Sequence, residues 1–419
     1  MDYRKFVRPA LARRMGTMAA IAIALAGTAA CESDGTGSDS QEVTIGGIFS
    51  LTGNWASLGV TSKAALELAV EDANRYAAGR GITFTADVRD TKLDPAMALA
   101  AVQSLKADGV QLIIGPQSSA ELAAIRAYVN ANPLMVVSQS STAGSLAIAG
   151  DHIFRFTAAD SLEGVASAAL MWEDGIRTVV PIWRADAGNQ GLHTATRAAF
   201  VARGGTLSTG VEYGATTTAF ATPVATLGAQ VRAALAGRPA SQVGVYLAGF
   251  DEVADVFAAA ALDSVLASVR WYGADGIAQS SALTARPAAV AFAERVGFPS
   301  ALFGLDFSAQ QNWQPVATRI QQRSGTAPDA FALAVYDAAR VAALAYLASP
   351  KGVDLDSLSS RFVDAAANYH GTTGWTALNA AGDRRFADFD FWAIRPSGAT
   401  HAWTRVAGYE TRSGTLSRR

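Results

Sequence analysis

From Val43 onward, short apolar runs alternate with longer stretches in which apolar residues return every three to four positions. Residues 43–49, 83–88, 110–114 and 134–137 predict four strands. Between the first two, Ala65, Ala69 and Ala73 recur at helical spacing beside Leu66 and Val70. Met97, Ala101 and Leu105 do the same after Asp94-Pro95, so each helix offers one apolar face to a sheet. A second series predicts strands at 153–156, 178–183, 207–213, 243–247 and 269–272, with helices around 164–172, 192–201, 224–235 and 254–266. A further helix is predicted over 328–347 and a final strand over 386–394. Strands alternating with helices in this way predict an α/β protein with parallel sheets covered on both faces.

The first forty residues follow another pattern. Arg4, Lys5, Arg8, Arg13 and Arg14 precede an apolar run at 18–26 and then the small residues before Cys31, the pattern of an export signal over 1–30. The apolar run is about half of the ~20 residues a membrane-spanning helix needs. Cys31 is the only cysteine, so no disulfide can form within the chain. Its place after the small residues leaves two readings open, a lipid-modified first residue of the mature protein or a secreted chain in which the cysteine is incidental. Residues 31–41, rich in Ser, Gly and Asp, suit a flexible tether.

Composition narrows the function. The chain has 419 residues, half of them hydrophobic, and a formal charge of −2. It can therefore bury large cores, and with no basic run in the body it lacks the counterion-release chemistry of a nucleic-acid binder. Nucleoside-phosphate loops, the serine-hydrolase elbow and the zinc-protease motif are missing, and His152, His193, His370 and His401 have no metal-ligand spacing. The expectation is a binding protein without catalytic residues, metal or cofactor.

Ligands of open parallel sheets bind beyond the carboxyl ends of the strands, which directs attention to four loops. These are residues 49–59 with Trp55 and Leu58, the stretch IIGPQSSAE with Ser118 and Ser119, residues 138–145 with Ser140, Ser141 and Thr142, and residues 273–276 with Asp275. Hydroxyls at a helix start can grip a carboxylate together with the unpaired N–H groups there, or can cap their own helix. Asp275 has two readings as well, as partner of a ligand ammonium or as a turn residue. Trp55 and Phe250 are pocket walls or core aromatics.

Taken in order, the segments IGGIFSLTGNWASLG, AALELAVEDAN, IIGPQSSAE, VVSQSSTAGSLA, IFRFTAADSLEG, GNQGL, VYLAGF and WYGADG resemble the type I periplasmic solute-binding proteins of ABC transporters, of the leucine/isoleucine/valine-binding kind. Looser similarity continues through ALAVYDAARVAA and GTTGWTALNAAGDRRF. The resemblance implies two Rossmann-like lobes joined by a three-strand hinge, with residues 42–157 and 279–373 in the first lobe and 158–278 and 374–419 in the second. It implies a small-molecule ligand between the lobes and a permease as partner. Ser119 and Thr142 would hold an α-carboxylate, with the backbone of Ser140 and the carboxylate of Asp275 on the ammonium. Phe250, Leu58 and Trp55 would line the side-chain pocket. Cys31 resembles a lipobox cysteine, which implies an extracytoplasmic lipoprotein on a membrane. Ala187 before Gly188-Asn189-Gln190-Gly191, where the family commonly has tyrosine, and Gln139, where it commonly has proline, are departures that argue against a specifically branched-chain ligand. The expected function is capture of an amino acid or similar polar metabolite for transport, the alternative a sensor of amides, urea or another small solute.

Overall fold

The computed structural model describes residues 40–305, 310–398 and 400–419. Cys31 and the export signal lie outside the described residues.

The first half builds one layered unit from β1 (Gln41–Phe49), α1 (Ala56–Ala77), β2 (Ile82–Asp90), α2 (Pro95–Ala107), β3 (Leu112–Ile114), α3 (Ser119–Asn130), β4 (Met135–Ser138) and β5 (Ile153–Arg155). Its five strands are all parallel, in the order β2-β1-β3-β4-β5. Side chains alternate across the sheet as the pleat demands. Ile45, Phe49, Leu112 and Ile114 enter one core, and Ile48 and Ile113 enter the other with Val102, Leu122 and Ile125 of α2 and α3. Gly115 follows β3 with φ 105°, and a Cβ there would sit 2.1 Å from the Ile48 carbonyl oxygen, so only glycine lets the loop after β3 pass this close to β1.

The chain then crosses to a second layer: α4 (Asp160–Glu173), β6 (Thr178–Ala185), α5 (Ala187–Ala202), β7 (Thr206–Leu207), β8 (Val211–Gly214), α6 (Ala221–Leu235), β9 (Val243–Ala248), α7 (Val253–Ala260), β10 (Arg270–Gly273), α8 (Ser281–Thr284), α9 (Pro287–Val296) and β11 (Ser300–Phe303). It returns to the first lobe with α10 (Gln310–Ser324), α11 (Ala330–Leu347), α12 (Leu355–Ala367) and the small pair β12 (His370–Gly371) and β13 (Gly374–Trp375). It ends in the second with β14 (Phe389–Ser397), β15 (Thr400–Glu410) and β16 (Thr415–Arg418). The second sheet is mixed: β7, β6, β9, β10 and β11 are parallel, while β14, β15 and β16 close one side as an antiparallel meander. Its faces alternate too, with Val180, Ile182, Val245 and Leu247 toward α6, α7 and α9, and Val179, Trp183 and Tyr246 toward α4 and α5.

Several expectations change in detail. Strand 153–156 pairs with β4 and so closes the first sheet instead of opening the second. The single strand predicted at 207–213 is divided at Gly210, whose φ of 79° breaks the extended run. The helix predicted over 254–266 stops at Ala260, and Asp263 accepts a bond from the Val265 amide in the turn that follows. Two strands follow the predicted final one. Residues 279–303 were expected with the first lobe, but β11 is hydrogen-bonded between β10 and β14, and Val290 and Phe292 of α9 lie in the second lobe's core. The return crossing therefore falls after Phe303. The last crossing also falls later than residue 374, because Asp383 and Arg384 still bond Arg155 of the first sheet. Three segments thus connect the lobes, near 156–159, after Phe303 and near 385–388, and two of them are tied by the Gly304 amide on the Asp388 carbonyl at 2.7 Å.

Candidate functional site

The cleft between the lobes is formed by the loops after β1, β3 and β4 on one side and by the starts of α4 and α5 with the loops after β9 and β10 on the other. All seven expected ligand residues are buried there. Trp55, Leu58 and Phe250 fall in one apolar cluster, with the Trp55 and Phe250 rings stacked at 4.3 Å across the two lobes and the Phe331 ring edge-on to Trp55 at 6.2 Å. Trp55 is held at φ 56°, a left-handed conformation that costs a non-glycine residue about 1–2 kcal/mol. Its carbonyl accepts from Gly59 and from the Gln117 side chain at 3.2 Å, and the same Gln117 side chain accepts from the Ser50 amide at 2.7 Å. Gln117, one residue before the serines in IIGPQSSAE, therefore clamps the first loop to the second. Sequence reasoning passed over it.

The serines divide their work. Ser118 caps α3 in a reciprocal box with Glu121, receiving the Glu121 amide at 3.3 Å while its own amide donates to the Glu121 carboxylate at 3.0 Å. This leaves Ser119 free of the capping role. Its Oγ accepts from the Ala143 amide and pairs with the Ser141 hydroxyl, each at 3.1 Å, and it faces Gly188 at the start of α5, where an added Cβ would come within 3.4 Å of it. Ser140 donates its hydroxyl to the Gln117 carbonyl at 2.8 Å, and the Thr142 carbonyl accepts from the Asp160 amide at 2.9 Å. Beneath this loop Arg155 donates to the Ser141 and Ala143 carbonyls at 3.2 and 2.7 Å and pairs doubly with Asp383.

The second lobe answers with carboxyls. The Asp275 amide donates to the Glu163 carboxylate at 3.2 Å, which brings the two buried acids together with no salt-bridge partner among the described residues. Burial pushes Asp275 up to about 7 and Glu163 well above the usual range, the charge of each neighbour adding to the effect on Glu163. Asp160, one turn before Glu163 on α4, is also pushed up to about 7 by burial, opposed by the Thr142 hydroxyl and Arg155. Neither Asp160 oxygen makes a hydrogen bond of ordinary geometry, and a Cβ on Gly191 of α5 would lie 2.0 Å from one of them. Sequence reasoning did not single out Asp160 or Glu163, because acids in a first helical turn read as complements of the helix dipole.

At the rim the lobes are bonded directly. Asn54 donates to Glu252 at 2.7 Å and Ser57 to Asp251 at 3.0 Å. Arg184 pairs with Asp186 and lies over the Phe250 ring at 5.3 Å. Among the described residues no group of histidine, cysteine and acidic side chains has metal-binding geometry.

Known proteins share this architecture. An uncharacterised protein of Methanocaldococcus jannaschii, MJ1266, is 27% identical over 401 residues, 91% of this chain and 93% of that one. The branched-chain amino acid transporter substrate-binding protein LivJ of Streptococcus pneumoniae, solved with isoleucine, superposes with a TM-score of 0.71 at 18% identity over 87% of this chain and 100% of that one. A solute-binding protein of an ABC transporter from R. palustris, solved with benzoate, gives 0.71 at 16% identity over 87% and 96% of the two chains. The family model described as periplasmic binding protein matches residues 42–374, and the chain belongs to that family of solute-binding, non-enzymatic proteins.

Proposed function

We propose that this protein captures an amino acid, or a similar small metabolite carrying both an ammonium and a carboxylate, between its lobes and delivers it to an ABC transporter permease outside the cytoplasm. One observation carries the reading: a wall of hydroxyls and amides around Ser119 and Thr142 faces a wall of buried carboxyls at Asp275, Glu163 and Asp160. Hydroxyls at the start of α3 suit a carboxylate, and buried acids suit an ammonium. Trp55, Leu58 and Phe250 would meet the apolar part. The isoleucine held by the LivJ protein supports this reading.

The benzoate held by the R. palustris protein, together with the Trp55–Phe250 stack, supports a second reading in which the ligand is an aromatic acid. Such an anion would lie against three buried acids with no charge to offer them, so the first reading is favoured. Calorimetry with L-leucine, L-lysine, putrescine and benzoate decides: binding of benzoate alone would overturn the amino-acid reading. Lipidation at Cys31 would hold the protein at a membrane, since several chains on one cysteine anchor stably where one does not. Recovery of the Cys31→Ala protein in the membrane fraction after a salt wash would refute that anchor.

A further inference from the structure

The buried acids outnumber what one ammonium can neutralise. Asp160 and Glu163 are each 2% exposed and Asp275 is 5% exposed. The charged and titratable groups around them come from every neighbouring element. Arg155 of β5 is committed to Asp383, and Arg184 of β6 to Asp186. Asp329, which caps α11, and Asp186, which caps α5, add negative charge near Asp275. Tyr246 of β9 lies beside the cluster with Thr196 next to its hydroxyl, and burial holds it in the neutral form. His193 of α5 is pushed down to about 4 by burial, so it is neutral at pH 7. Arg197 of α5 acts on His193, and neither Glu163 nor Asp275 forms a salt bridge among the described residues. Further unpartnered polar atoms, on Gln139, Thr157 and Asn189, border the same region and point to a polar ligand.

We infer that Glu163 is a specificity-determining residue of this site: with Asp275 it holds one shared proton, and a ligand ammonium seats against the pair by displacing that proton to solvent. The exchange balances. Before binding the pair carries one negative charge and one proton. Afterwards both carboxylates are ionised, the ammonium lies between them, and the proton has left to buffer. A neutral or anionic ligand cannot drive this exchange, because nothing replaces the proton between two buried carboxylates. Discrimination for a cationic group thus comes from the second acid, Glu163, which sits in α4, 112 residues from Asp275. The inference rests on the ammonium-binding reading given above and adds a proton to it.

Binding of L-leucine, L-lysine and putrescine, measured by calorimetry in two buffers of different ionisation enthalpy, counts the protons released. The expected result for the ammonium ligand that binds is release of close to one proton near pH 6, with affinity rising about tenfold per pH unit below the midpoint of the pair. Glu163→Gln should release less than half as much and show a flat pH profile, whereas Glu163→Asp, which keeps an acid, should retain the slope. Ligand-free protein provides an independent readout. Acids raised by burial stabilise the fold below their unfolded values near 4 and lose that contribution as pH rises through their folded values. The melting temperature should therefore fall between about pH 5 and pH 8, and fall less in Glu163→Gln. Binding of an ammonium probe to the wild-type protein without proton release would overturn this inference and leave the amino-acid reading standing. Exclusive binding of benzoate would overturn both. A wild-type melting temperature that Glu163→Gln matches at every pH would also overturn the shared proton.

Discussion

Around Ser119 the first lobe presents to the cleft hydroxyls and amides bonded to one another, while the second presents buried carboxyls that no salt bridge among the described residues neutralises. Ser119, Ser141 and the Ala143 amide form one bonded group, and Arg155 pins the loop carbonyls from below. Across from them neither Asp160 carboxyl oxygen makes a hydrogen bond of ordinary geometry, and the Glu163 carboxylate accepts from the Asp275 amide. The contrast separates two kinds of preparation. The hydroxyl wall is shaped before a ligand arrives, so it loses little freedom on binding. The carboxyl wall is held in an unfavourable state that a positive charge relieves, so it supplies the discrimination.

The largest effect should come from loosening the stiff wall. Arg155 is 1% exposed, pairs with Asp383 at 2.5 and 2.7 Å and holds two loop carbonyls. Removing one partner of a buried pair strands the other, at a cost of about 3–5 kcal/mol. Arg155→Ala should lower the denaturant midpoint accordingly and leave the loop at 138–145 open to hydrogen exchange. A variant as stable as wild type would show that the hydroxyl wall needs no support from beneath.

Ser119→Ala tests the same wall without disturbing its frame. A hydroxyl bonded to a charged group contributes roughly 1.5–3 kcal/mol, so affinity for the amino acid should fall about tenfold to a hundredfold. The capping box at Ser118 and Glu121 is untouched, and the melting temperature should hold within a few degrees. Equal affinity in wild type and variant, read by calorimetry, would assign Ser119 a packing role only.

How much of this was visible in the chain depends on the range of the cause. β1, β3 and β4 are apolar runs bounded by polar or Gly-Pro breaks, and their alternation marks both faces, so local pattern suffices. β11 is only Ser-Ala-Leu-Phe between Pro299 and Gly304, too short for any period to register. β15 has exposed and half-buried residues along most of its length because it lies near the sheet's edge, which blurs the alternation a strand normally shows. In the site, Ser119, Thr142 and Asp275 stand at strand ends where loops are informative. Glu163 does not: its meaning comes from a residue far along the chain and from burial that no local pattern reveals. Gln117 was hidden for a similar reason, since the two bonds of its side chain run to Ser50 and Trp55.

The smallest effect should lie at the rim, where the two walls are drawn together. Asn54 Nδ2 donates to Glu252 at 2.7 Å, and the Ser57 hydroxyl donates to Asp251 at 3.0 Å, so two residues of the first lobe bond adjacent acids of the second. Both acids have other donors within their own lobe, Tyr213 on Glu252 at 2.8 Å and Ser280 on Asp251 at 2.6 Å, and neither would be stranded if the rim bond were lost. Each rim bond should then contribute only the net value of an ordinary hydrogen bond, about 0.5–1.5 kcal/mol, and that only in the closed form. A ligand can bias closure by no more than its differential affinity for the two forms, and the rim bonds set part of the starting balance. Asn54→Ala should therefore weaken binding about threefold to tenfold through a shift toward the open form, with the ligand's own contacts unchanged. Small-angle scattering of the ligand-free variant should show a larger radius of gyration than wild type, and saturating ligand should remove the difference. A weakened affinity with identical scattering would instead mean that Asn54 touches the ligand, and the comparison between the walls would then need a polar amide on the first lobe's side.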